Sequence, residues 1–113
     1  MQITSRLARQ DLEAAGKQIG KGQMVFLLLG AANHDPEQFA EPELLDLARR
    51  DNRHLAFSHG IHYCLEAALG RLEGQVALST ILQRFPALQL ERQTMDWYRN
   101  PTIRSLKSLP VVF

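Results

Sequence analysis

The chain has 113 residues, 45% of them apolar and 22% charged, with 13 Lys and Arg against 12 Asp and Glu for a net charge of +1. That balance excludes the one-signed field expected of a nucleic-acid or membrane-surface binder. A single cysteine excludes an internal disulfide framework, and a chain of this size makes one domain at most, burying about two-thirds of its surface if it closes its own core.

Residues 1–30 read as strands and tight turns, with Ile3, Leu7 and Leu12 separated by polar residues and Gly16-Lys17 and Lys21-Gly22 as punctuation. The stretch from Met1 to Leu12 lacks the apolar centre of a signal peptide, and the run from Met24 to Ala32 is too short to span a bilayer. With one cysteine and four histidines, a reducing cytoplasm is the expected compartment. Met24 to Leu29 fits either a short buried strand or the start of a buried helix, because periodicity does not separate the two.

Residues 31–56 are rich in turn formers: Asn33-His34-Asp35-Pro36, Pro42 and Asp46-Leu47-Ala48-Arg49. A segment of this length is not expected to be a structureless loop. His34, beside Asp35-Pro36, reads as a surface or capping histidine. Asp46 and Arg49 read as a pair, with each other or with another part of the protein.

The stretch 57–64, Phe-Ser-His-Gly-Ile-His-Tyr-Cys, is a loop that ends in the single cysteine. Beyond it Leu65, Ala68, Leu69, Leu72, Val76 and Ile81 recur at helical spacing, which predicts a helix over 65–84 with Cys64 at its N-terminus. There the positive end of the macrodipole favours a thiolate over a thiol, and Gly60 lets the loop fold tightly. A thiolate so placed suits a haem iron. His54, His59, His62 and Cys64 also make a candidate zinc set, although their spacing is not that of a zinc finger. Along the helix Ala67, Gly70, Gly74 and Ala77 form a row of small residues for close packing, with Arg71 and Glu73 at polar positions. Pro86 ends the helix. Residues 85–113 read as C-terminal strands, with Leu88 and Leu90 alternating with polar residues and Trp97 as a core side chain.

The spacing Phe57-x-x-Gly60-x-His62-x-Cys64-Leu65 resembles the haem-binding loop of the cytochrome P-450 superfamily, the haem-thiolate monooxygenases, in their soluble bacterial form. The likeness runs from about Ile3 to Phe113. Gly16-x-x-Ile19-x-Lys21-Gly22 before an apolar strand is similar to the family's small sheet. Asn33-x-Asp35-Pro36, Phe39 and Asp46-x-x-Arg49 are similar to its meander. Trp97-Tyr98-Arg99 with Ile103 to Val111 is similar to its closing hairpin. Two positions depart: Glu66 stands where the family has glycine or another small residue, and Ser58 where it usually has glycine.

The resemblance implies an α+β segment of short strands and hairpins, a meander, a haem-ligand loop and one long helix, the C-terminal piece of the helix-rich cytochrome P-450 fold. It implies haem b as cofactor, with Cys64 as axial thiolate ligand of the iron, His62 and Arg6 on the propionates, Phe57 shielding the sulfur and Gly60 shaping the loop. In the complete enzymes of the family, one oxygen atom is inserted into a small organic substrate, with electrons from a ferredoxin-type donor. The family's upstream acid–alcohol pair and Glu-x-x-Arg pair do not occur in these residues. The expectation is therefore a portion of a monooxygenase that is incomplete or inactive alone, meeting a complementing segment or associating with itself. The alternative is a stand-alone haem-binding or protein-interaction module without oxygenase activity.

Overall fold

Ala15 and Gly16 adopt consecutive left-handed conformations, with φ of 48° and 73°. Such a pair makes the two-residue turn whose twist matches an antiparallel hairpin. In the computed structural model, which describes residues 1–91 and 94–113, this turn joins β2 (Leu12–Ala14) to β3 (Lys17–Ile19). Arg92 and Gln93, within the stretch expected to form C-terminal strands, lie outside the described residues. The described residues group into two units, Met1–Ala56 with Pro101–Ile103 and Phe57–Asn100 with Arg104–Phe113.

In the first unit the β2–β3 hairpin is inserted between β1 (Thr4–Leu7) and β4 (Met24–Leu27), which pair antiparallel with Thr4 opposite Leu27. The Ala8 N–H donates to the Gln23 carbonyl at 2.9 Å and extends the ladder. Asp11 Oδ1 accepts the Lys21 N–H at 2.7 Å and ties down the turn before β4. The apolar run that begins at Met24 thus divides into a strand and a single helical turn, α1 (Leu29–Ala32). It is not uniformly buried: Leu29 is enclosed, whereas Met24, Phe26 and Leu28 are exposed. Among the described residues β4 has one strand partner, β1, and a two-stranded ribbon covers little of either face.

His34 caps the end of α1, with Nδ1 2.9 Å from the Gly30 carbonyl oxygen. The segment that follows is held by side chains acting on backbone. Asp35 Oδ1 accepts the Glu37 N–H at 3.0 Å, and Phe39 is buried. The expected pairing of Asp46 with Arg49 is replaced by two separate turn anchors. The Arg49 guanidinium donates to the carbonyls of Ala40 and Glu41 at 2.7 and 3.2 Å, and Asp46 Oδ1 accepts the Ala48 N–H at 2.9 Å. Carbonyls in a turn offer the guanidinium fixed, planar acceptors. Asn33 Oδ1 accepts the Leu55 N–H at 2.7 Å across 22 positions and closes the segment. Asn33→Ala should cost about 1 kcal/mol locally. The check is amide exchange at Leu55, which should quicken about fivefold.

The second unit carries α2 (Ala67–Arg84). The helix expected from Leu65 starts two residues later, because Leu65 and Glu66 form a turn in which the Ala67 N–H donates to the Cys64 carbonyl at 3.2 Å. It stops where proline requires: the Phe85 N–H makes the last helical bond, to the Ile81 carbonyl at 2.9 Å, and Pro86 follows. β5 (Gln89–Leu90) pairs antiparallel with β6 (Val111–Val112). Trp97 and Leu106 bridge, and the Arg104 guanidinium stacks on the half-exposed Trp97 ring at 4.3 Å. Among the described residues no helix is long and apolar enough to cross a membrane.

Candidate functional site

The segment from Phe57 to Cys64 closes on itself. The Cys64 N–H donates to the Phe57 carbonyl at 2.9 Å, and the Tyr63 N–H donates to the Gly60 carbonyl at 3.0 Å. Two left-handed residues make the bends between them, Ser58 at φ 64° and Gly60 at φ 62°. Gly60 opens a short 3-10 turn through His62. Glycine adopts this conformation without penalty and serine does not. Ser58→Gly should therefore stabilise the loop by about 0.5–1 kcal/mol after the entropy that glycine adds to the unfolded chain. Slower amide exchange at Cys64 would verify it.

Past the loop, Glu66 occupies the residue before α2 and makes no side-chain cap. Ala67 is buried, and Cys64 is exposed with a free thiol. Around the thiol lies a solvent-open hollow of about 470 Å³ lined by Gly60, Ile61, Tyr63, Cys64, Leu65, Ala67, Ala68 and Arg71. Ile61 is 98% exposed and Leu65 100% exposed. Large aliphatic side chains at full exposure on both sides of a cysteine form an apolar frame that water solvates poorly.

Phe57 is half-buried, with its ring edge-on to Tyr63 at 6.4 Å between centroids. His62 is exposed at the end of the 3-10 turn. Phe57, Gly60, His62 and Cys64 are thus brought into one loop. Arg6 belongs to the other unit, on β1, where its guanidinium donates to Thr4 Oγ1 at 3.1 Å and to the Ser5 carbonyl at 2.7 Å. No three His, Cys, Asp or Glu side chains among the described residues converge as a metal-holding group, so the zinc set of His54, His59, His62 and Cys64 is not assembled.

The sequence pattern puts Arg71 only at a polar position of the helix. The structure puts it on the wall of the Cys64 hollow, with its guanidinium over the Phe57 ring at 5.2 Å. The spacing held a signal: Cys64, Ala67, Ala68 and Arg71 fall at i, i+3, i+4 and i+7, the positions that share a helix face.

The family described as Cytochrome P450 matches residues 2–110. The chain is 50% identical over 112 residues to cytochrome P450 CYP107DY1 of Priestia megaterium, covering 98% of this chain and 27% of that protein. It is 46% identical over 114 residues to the biotin biosynthesis cytochrome P450 of Bacillus subtilis, covering 99% of this chain and 28% of that protein. The crystal structure of P450BioI in complex with an acyl carrier protein ligated to hexadec-9Z-enoic acid superposes with a TM-score of 0.96 at 45% identity. That match covers 99% of this chain and 29% of the P450BioI chain. The chain therefore spans little more than a quarter of the length of the curated relatives it matches.

Proposed function

The chain belongs to the cytochrome P450 family, and from that premise we propose that it is the C-terminal, thiolate-ligand part of a haem monooxygenase, with Cys64 as the residue whose sulfur would hold the iron. The observation that carries this reading is the Cys64 loop itself, a cysteine whose N–H is pinned to the Phe57 carbonyl at 2.9 Å and whose thiol is exposed in an apolar frame.

The residues fit the group. A single thiol without a converging metal-holding group among the described residues suits an ion that brings its other ligands with it, as an iron porphyrin does. The exposed aliphatic faces of Ile61 and Leu65 suit a flat apolar surface better than a hydrated ion. Haem b is the form proposed, since Cys64 is the single cysteine and the reading assigns it to the iron.

Each side chain has a task in this reading. Cys64 would hold the iron through sulfur. Phe57, adjoining Cys64 through its carbonyl, would limit water at the sulfur, which tunes a bound metal. Gly60 makes the bend without presenting a Cβ. His62 and Arg6 are proposed for the two propionates, a guanidinium being able to clamp a carboxylate with two parallel hydrogen bonds. For Arg6 that exchanges its bonds to Thr4 and Ser5 for carboxylate oxygens. When bound, the haem supplies oxygen activation and insertion of one oxygen atom into an organic substrate. The small organic substrate, the ferredoxin-type donor and the cytoplasmic setting belong to the proposal for the complete enzyme.

Glu66 favours a second reading, a haem-binding or interaction module without oxygenase activity, since it puts a carboxylate where the family keeps a small residue. One titration tests the thiolate assignment common to both: haem is added, then reduced under carbon monoxide. A strongly red-shifted carbonyl band that depends on Cys64 is the expected result, and haem bound without it would overturn the assignment.

A further inference from the structure

Arg71, on the second turn of α2, completes a line of contacts that runs back to the cysteine. Its guanidinium carbon lies 5.2 Å from the centroid of the Phe57 ring. The same ring rests on the helix at Gly70, where an added Cβ would stand 3.9 Å from the Phe57 Cε1. The Phe57 carbonyl in turn accepts the Cys64 N–H at 2.9 Å. Between the two ends lie the left-handed Ser58 and Gly60, and a left-handed non-glycine residue persists only where its surroundings over-determine it.

We propose that Arg71 is a positioning residue for the Cys64 ligand: its guanidinium, seated on the Phe57 ring, holds the carbonyl that anchors the Cys64 N–H and so fixes the loop that presents the thiol. This deepens the thiolate-ligand reading and rests on it. A cation over an aromatic face is attracted by the ring quadrupole, and a planar guanidinium also stacks on the ring, which an ammonium does not. Because Arg71 is carried on a helix, it ties the loop to a rigid element. The small residue at 70 lets the ring reach that helix.

The test uses the whole 113-residue chain without added haem, read by amide exchange at Cys64 and by NMR of labelled phenylalanine rings. Arg71→Ala should quicken Cys64 exchange about fourfold, the factor set by one exposed cation–π contact, and should move the Phe57 ring signals. Exchange at Val76 and Ile81, further along α2, should keep its wild-type rate. Arg71→Lys, which keeps the charge but not the flat face, should fall between wild type and alanine. In a Phe57→Leu background, Arg71→Ala should add nothing, because its route to the cysteine is gone. Unchanged Cys64 exchange in Arg71→Ala, or effects that add in the double variant, would overturn the proposal. If alanine loosens α2 as a whole, Arg71→Met, which keeps length and helix propensity, takes its place under the same two criteria. A parallel haem titration of the unsubstituted chain separates the two ideas: absence of a Cys64-dependent carbonyl band there sinks the haem reading, while the exchange data still decide the role of Arg71.

Discussion

Cys64→Ala should abolish the strongly red-shifted carbonyl band of the reduced, haem-loaded chain while leaving an ordinary haem absorption. The substitution removes one exposed sulfur and little else. The Cys64 N–H still reaches the Phe57 carbonyl, Ala67 still opens α2, and Ile61 and Leu65 still frame the hollow. Haem can therefore still associate through apolar burial, at about 25 cal/mol per Å². Only the thiolate, which donates strongly to the iron and sets its electronic character, is lost. His59, His62 and Tyr63 are exposed in the same loop, and a nitrogen or phenolate ligand taken from them would give a spectrum unlike that of a thiolate. The variant thus reads ligand identity and not simply occupancy. A band of equal strength in wild type and Cys64→Ala would remove the cysteine from the iron and the haem-thiolate reading with it.

At micromolar concentration the chain should elute from size exclusion above its 12.8 kDa mass and bind a hydrophobic dye. Among the described residues the buried apolar ones are Ala8, Leu29, Phe39 and Ala67, while Leu69, Leu72, Val76, Leu78, Ile81 and Leu82 are exposed around α2. Apolar side chains are spread around α2 with Arg71, Glu73 and Arg84 between them, and exposed apolar surface of that extent marks a face that something covers. Replacing Leu72 and Val76 together by Gln should shift the elution toward monomer without shortening the helix, since glutamine forms helices as well as leucine does. A compact monomer of the unsubstituted chain that binds no dye would show that these faces need no cover.

What could be read without the structure was local. The order of Phe57, Gly60, His62 and Cys64 ahead of a helical repeat pointed to the family, which the match over residues 2–110 then showed. Such a motif is legible because its backbone shape follows from residue types at fixed spacing. The stop before Pro86 is of the same kind, since proline acts on the turn just before it.

Other features depend on partners far along the chain or on which face finds cover. Met24 to Ala32 split into a strand and a helical turn because β1 was there to pair with β4. Arg49 took carbonyls in place of Asp46 because Ala40 and Glu41 came within reach. Ser58 went left-handed although serine does not ask for it.

By itself the sequence determined the family, the cysteine loop and the helix stop, because each arises from contacts between near neighbours along the chain. Only the tertiary structure decided that Arg71 covers Phe57, that Asn33 reaches Leu55, and that α2 stands with its apolar sides uncovered. Those are facts of packing. Side chains distant along the chain meet only after the backbone has chosen its path, and periodicity records which faces are apolar but not what covers them.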